Sequence, residues 1–286
     1  MSITSIIEDW AGEKIISGKT VGGGSIADSR VIETESGKRY FLKSGSQNDK
    51  MFFCEAHGLQ ELEKSKTIRV PHVFLVTEDF LLIEYIASGR SSNAFFELFG
   101  KRFADLHRFK SESFGFYEDN FIGHTAQLNI AAGAQKSDWK TFYYEKRLLY
   151  QFKLAEKQGL SSSRLNEGFA KLENRIDQIL AGSENDAVLL HGDLWSGNYL
   201  TDENEQPVII DPAVYYGNRE VDLAMTKVFG GFDTQFYSAY NEAYPLADGY
   251  DYRENIYKLY HILNHLNLFG MGYHSQAVNL LWSYLK

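Results

Sequence analysis

Asp193 and Asn198 stand with four residues between them in the segment His191-Gly192-Asp193-Leu194-Trp195-Ser196-Gly197-Asn198, and a further acid, Asp211, closes the apolar run Val208-Ile209-Ile210. A carboxylate and an amide oxygen are hard donors that suit Mg2+, which takes few protein ligands and fills its shell with water and phosphate oxygens. A second carboxylate nearby can accept the proton of a reacting hydroxyl. Residues 199–201 and 208–210 read as two strands joined by the polar turn 202–206, which is a hairpin. Antiparallel pairing puts the start of one strand beside the end of the other, so Asn198 and Asp211 are expected at the same end, with Asp193 just upstream facing the hydroxyl. Taken singly, Asp, Asn and Gly are turn residues; the full spacing, flanked by apolar strands, is what points to chemistry. His191 is expected to brace the backbone.

The same order of base, amide and later metal-binding acid serves phosphoryl transfer from ATP, where a strand lysine paired to a helix glutamate holds the phosphates. Lys43 lies on a short strand, and Glu55 shares the apolar stripe Phe52, Leu59 and Leu62 of the next helix. A carboxylate turned inward needs a partner, and Lys43 is the expected one. Gly22, Gly23, Gly24 and Ser25 lie between two strands, where glycines let backbone N–H groups approach phosphates. That loop matches neither the dinucleotide fingerprint nor the P-loop. The run ending at Ile86 is placed to meet an adenine through the Glu84 carbonyl and the Ile86 N–H.

The elements that must position these residues fall into two groups. Strands are expected at 14–21, 29–34 and 39–43, a helix at 50–64, and two more strands at 73–76 and 80–86. From there the pattern turns helical, at 93–109, 139–157 and 163–180, with short strands at 188–190, 199–201 and 208–210 and helices after Asp222. This is an α+β chain of two lobes: a small β-rich one (1–87), a linker (88–92) and a larger, mostly helical one (93–286), with a cleft between them. A net charge of −9 without a dense basic run argues against nucleic acid. No stretch approaches the roughly 20 apolar residues of a membrane helix, no signal peptide is evident, and the single cysteine, Cys54, excludes an internal disulfide. A cytoplasmic protein without nucleic-acid or membrane partners is expected, as a monomer or a dimer.

Asp211 is followed within about ten residues by the helical run Asn218-Arg219-Glu220-Val221-Asp222-Leu223-Ala224. No room remains for a peptide-docking segment, so the acceptor is expected to be a small molecule. The chain resembles the fructosamine kinase (ketosamine 3-kinase) family, in the aminoglycoside-phosphotransferase-like branch of the protein kinase-like fold. The resemblance rests on GGG at 22–24, Glu55-Ala56-x-Gly58-Leu59, Asp119-Asn120-x-Ile122-Gly123-x-Thr125-x-Gln127-x-Asn129, Trp139-x-x-Phe142, LLHGDLWSGN at 189–198 and Asp211-Pro212-Ala213-x-Tyr215-Tyr216-Gly217-x-Arg219-Glu220-x-Asp222-Leu223-Ala224-Met225. It implies transfer of the ATP γ-phosphate to the 3-hydroxyl of a ketosamine or glycated amine, after which the unstable 3-phosphate eliminates and frees the amine. By the same resemblance Asp193 is the base, Asn198 and Asp211 hold Mg2+, Lys43 with Glu55 sets the phosphates, and Trp195 forms a wall for the sugar. Asn120 and Gln127 would border the acceptor, and Asp222 would brace the catalytic loop. An aminoglycoside, choline or thiosugar acceptor is the alternative.

Overall fold

The structure, a computed structural model, describes residues 2–21, 28–45, 48–92 and 94–285. It opens on a helix the sequence pattern did not signal, α1 (Ile3–Ala11), capped by the Ser2 hydroxyl and ended by Gly12 in the left-handed region. Strands β1 (Ile15–Thr20), β2 (Asp28–Thr34) and β3 (Arg39–Ser44) lead to helix α2 (Met51–Lys64), then β4 (Val73–Val76) and β5 (Phe80–Glu84). The five strands form one antiparallel sheet in the order β1-β2-β3-β5-β4.

Side chains alternate across that sheet. Tyr40 and Leu42 join Ile32, Phe80 and Leu82 on the face covered by Ile7 of α1. Leu81 and Ile83 turn the other way, onto Phe52, Ala56, Leu59 and Leu62 of α2. Lys43, one residue out of phase with Leu42, therefore emerges on the α2 face. That second face is not closed by the small lobe alone: its core runs on into Phe95, Phe99, Leu189, Leu194, Ile209 and Val214.

The larger part begins with α3 (Phe95–Leu106), β6 (Lys110–Ser111) and the short hairpin β7 (Asn120–Ile122)–β8 (Thr125–Gln127). Helix α4 (Trp139–Tyr143) passes through one π-helical stretch, Tyr144–Leu149, into α5 (Tyr150–Lys157). The amphipathic run at 163–180 is broken into α6 (Ser163–Glu173) and α7 (Ile176–Ile179). Strands β9 (Ala187–Leu190), β10 (Tyr199–Thr201), β11 (Pro207–Ile209) and β12 (Tyr215–Gly217) follow, then α8 (Glu220–Thr226), α9 (Thr234–Ala243), α10 (Tyr250–Phe269) and α11 (His274–Trp282). β10 pairs with β11, and β12-β9-β6 form a three-stranded sheet. The residues after β5 are tied down: Gly89 N–H donates to Thr201 O, and Ser88 bridges Asp202. Among the described residues no helix is long and apolar enough to cross a membrane.

Candidate active site

Two devices hold the segment after β9. The first is Asp222, in the first turn of α8, whose carboxylate accepts from the N–H groups of His191 (2.7 Å) and Gly192 (2.8 Å). Burial opposes its charge, but the His107 ring (3.3 Å) and these donors outweigh that and hold its pKa below the usual carboxylate range. The second is His191 itself. Its Nε2 donates to Ile210 O (2.9 Å), which leaves Nδ1 to accept from Asp193 N–H (3.3 Å). Gly192 sits at φ +83° with the space for a Cβ only 2.0 Å from Ala213 O, so any side chain there meets both strain and backbone.

The β10–β11 hairpin is in the expected register. Tyr199 pairs with Ile209, and Ile210 N–H donates to Asn198 O (3.0 Å), which places Asn198 and Asp211 at one end. Asn198 Nδ2 donates to Asp193 O (2.8 Å), and among the described residues its Oδ1 has no hydrogen-bond partner. Asp211 has φ +56°, a backbone state few residues but Asp and Asn adopt. Its carboxylate remains 42% exposed and pairs with the Lys43 ammonium. Lys43 Nζ also meets Glu55 Oε1 at 2.6 Å, so one buried cation joins β3, α2 and the hairpin. Burial disfavours that charge, but the two carboxylates beside it prevail and raise the Lys43 pKa. At Asp193 burial acts first, then the charges of Asp211 and Asp222, and together they push its pKa well above the ordinary value.

On the other side of Asp193 the Trp195 ring stands edge-on to Phe229 (centroids 5.7 Å apart), and Phe229 lies against His265 (4.8 Å). His265 in turn contacts Phe269 and Tyr273. This aromatic wall comes from the loop after α8 and the end of α10. Sequence spacing links none of these side chains to Trp195; an aromatic near Trp195 is visible only once α8 and α10 are packed together.

At the linker, Glu84 ends β5 with its N–H on His72 O and its carboxylate on Arg69 (2.6 Å). Ile86 is buried, and among the described residues its N–H has no partner. Gly22, Gly23, Gly24 and Ser25 lie outside the described residues. Asn120 and Gln127 are the residues expected to border the acceptor. They are 4% and 1% exposed, and their side-chain amides are occupied by Val214 O, Ala213 O, Asn129 and Tyr260. The β7–β8 hairpin thus lies against the Ala213–Val214 segment that follows Asp211.

The fructosamine kinase family model matches residues 1–286. The chain belongs to the fructosamine kinase family. It is 40% identical over 274 residues to the chloroplastic protein-ribulosamine 3-kinase of Arabidopsis thaliana, covering 93% of this chain and 82% of that one. A solved structure from Thermobifida fusca, named for a fructosamine-3-kinase, superposes with a TM-score of 0.88 at 29% identity, over 99% of this chain and 98% of that one. A thermostable mutant of aminoglycoside phosphotransferase APH(4)-Ia, in ternary complex with AMP-PNP and hygromycin B, matches with a TM-score of 0.68 at 13% identity, over 99% and 97% of the two chains. The last likeness concerns the fold alone: a protein kinase-like arrangement with a small antiparallel sheet lobe and a helical remainder.

Proposed function

We propose that this member of the fructosamine kinase family transfers the γ-phosphate of ATP, with Mg2+, to the 3-hydroxyl of a ketosamine such as a ribulosamine or fructosamine. The observation that carries the reading is the joining of Lys43, Glu55 and Asp211 at the end of the hairpin that also bears Asn198, with Asp193 beside them. The printed activities of the relatives, ribulosamine and ketoamine kinases, support the acceptor class.

The donor set fits the cation. Asn198 Oδ1 is uncommitted and the Asp211 carboxylate is partly open, two hard oxygens of the kind Mg2+ accepts alongside phosphate and water. Bound there, Mg2+ neutralises charge on the transferring phosphate. The nucleotide lies between the small lobe (1–87) and the large lobe (93–286), with adenine on the Glu84 carbonyl and the Ile86 N–H. Lys43, oriented by Glu55, pairs with the α- and β-phosphates. Asp193 accepts the proton of the 3-hydroxyl as its oxygen bonds to the γ-phosphorus and the bond to the β-phosphate oxygen breaks; a raised pKa makes its carboxylate the stronger base. Trp195, backed by Phe229 and His265, presents an apolar face to the sugar. The 3-phosphate is unstable, and its elimination releases the amine.

An ADP-release assay over an acceptor panel tests this. Turnover is expected with ribulose-lysine or fructose-lysine. Turnover with an aminoglycoside, choline or a thiosugar and none with any ketosamine would overturn the acceptor.

A further inference from the structure

Asp211 depends on the residues that follow it. Its left-handed backbone is set against Pro212, and Ala213 and Val214 are then fixed by side chains remote in sequence. Ala213 N–H donates to His191 O (2.9 Å), Ala213 O accepts from Gln127 Nε2 (2.9 Å), and Val214 O accepts from Asn120 Nδ2 (2.8 Å). Asn120 and Gln127 are register partners across the β7–β8 hairpin. Gln127 spends its second amide hydrogen on Asn120 Oδ1 (2.9 Å), which also accepts from Asn129 Nδ2 (2.8 Å).

Behind this pair the network continues through Tyr260, Asn129 and Arg147. Tyr260 O–H donates to Gln127 Oε1 (2.7 Å), so the Gln127 amide has one orientation only. Arg147, carried by the π-helical stretch, donates to Asn129 Oδ1 (2.7 Å) and Leu128 O (2.5 Å) and lies over the Tyr215 ring at 3.9 Å. Asn120, Gln127, Asn129, Arg147 and Tyr260 are all at most 4% exposed. Neutral amides are the groups that serve here, because each must donate to a carbonyl and accept from a neighbour at once. A buried network of this kind favours one geometry, and here the Asn120 and Gln127 amides are each tied to a main-chain carbonyl and to one another.

We propose that Asn120 and Gln127 are positioning residues for the metal-binding carboxylate: they hold Ala213 and Val214 so that Asp211 keeps its left-handed turn and faces Lys43 and Asn198. The inference rests on the kinase reading above, though not on its acceptor. Asn120 and Gln127 thus act on the phosphate end of the site through the backbone of Ala213 and Val214.

Isothermal calorimetry of ATP with and without Mg2+ tests it, and needs no acceptor, so an error in the acceptor leaves the test intact. Gln127→Leu is expected to weaken ATP binding about tenfold in the presence of Mg2+, the scale of one lost buried hydrogen bond, and to leave binding of ATP alone unchanged. Tyr260→Phe keeps the shape of the core and frees the Gln127 amide to turn over. It is expected to weaken only the Mg2+-dependent part, by a smaller factor, and it decides the matter if Gln127→Leu does not fold. Variants that melt earlier yet keep the wild-type affinity for ATP with Mg2+ would reduce both residues to packing and overturn the proposal.

Discussion

Asp222 keeps its charge in the interior because donors surround it, and those donors are the backbone of the catalytic segment. Asp222→Ala leaves the N–H groups of His191 and Gly192 unmet in a buried place. An unsatisfied group of this kind costs about 1–3 kcal/mol, so a lowered urea midpoint is expected together with a fall in kcat. Asp193 has no such structural duty; it receives one long contact from Asn198 Nδ2 (3.4 Å), whose main bond is to the backbone. Asp193→Asn is therefore expected to leave the fold and ATP affinity nearly unchanged while turnover falls about 10²- to 10⁴-fold, the span of a lost general base. Calorimetry and initial rates on one preparation check both halves. The grouping of Asp193, Asn198 and Asp211 is legible in the sequence because their spacing is local and the hairpin between them is short. The burial of Asn120 and Gln127 is not, because polar residues in a loop-rich stretch look exposed until a distant carbonyl claims them.

At the scale of elements, α2 decides whether Lys43 and Glu55 can meet. The helix lies against the large lobe where Gly58 packs on Pro212 and Val214: a Cβ there would stand 3.3 Å from both side chains. Tyr216 O–H donates to Glu61 (2.8 Å), and His57 meets Glu118 (2.7 Å), so α2 is attached to the larger part at positions 57, 58 and 61. Gly58→Leu has no room without moving the helix, and with it Glu55. The expected result is a higher KM for ATP with an acceptor KM much less affected, measured by varying each substrate in turn. The five strands of the small sheet and the 199–201/208–210 hairpin followed from alternation and turn residues. Strands β6, β7, β8 and β12, of two or three residues each, carry too few side chains for any period to show. Helix α1 was missed although its cap and its ending glycine are ordinary signals.

Across the whole molecule, acid is the condition that sets burial against charge. His261 on α10 is fully buried with neither ring nitrogen partnered among the described residues, and burial, followed by the charge of His265, pushes its pKa down to about 3. Burial lowers His107 and His191 as well. A histidine depressed in the folded state binds its proton more readily when unfolded. Its contribution is intact above the unfolded value of about 6.5 and is lost as pH falls below it, toward the folded value. Asp222, also depressed, adds a loss of the same sign at lower pH. The urea midpoint is expected to be flat from about pH 8 to 7 and to fall between about pH 6.5 and 4. His261→Leu is expected to flatten the upper part of that fall; an unchanged pH profile in this variant would assign the acid sensitivity to other groups.

The amino-acid sequence by itself determined the grouping of Asp193, Asn198 and Asp211 and the two-lobed plan, because these three lie within nineteen residues and the lobes differ in the period of their apolar positions. Tertiary structure alone decided what stands around that centre. Lys43 reaches Asp211 across 168 positions, Gln127 holds Ala213 across 86, and Trp195 meets Phe229 only after α8 has turned. Contacts of this kind depend on which face of one element packs on another, and local periodicity does not record that.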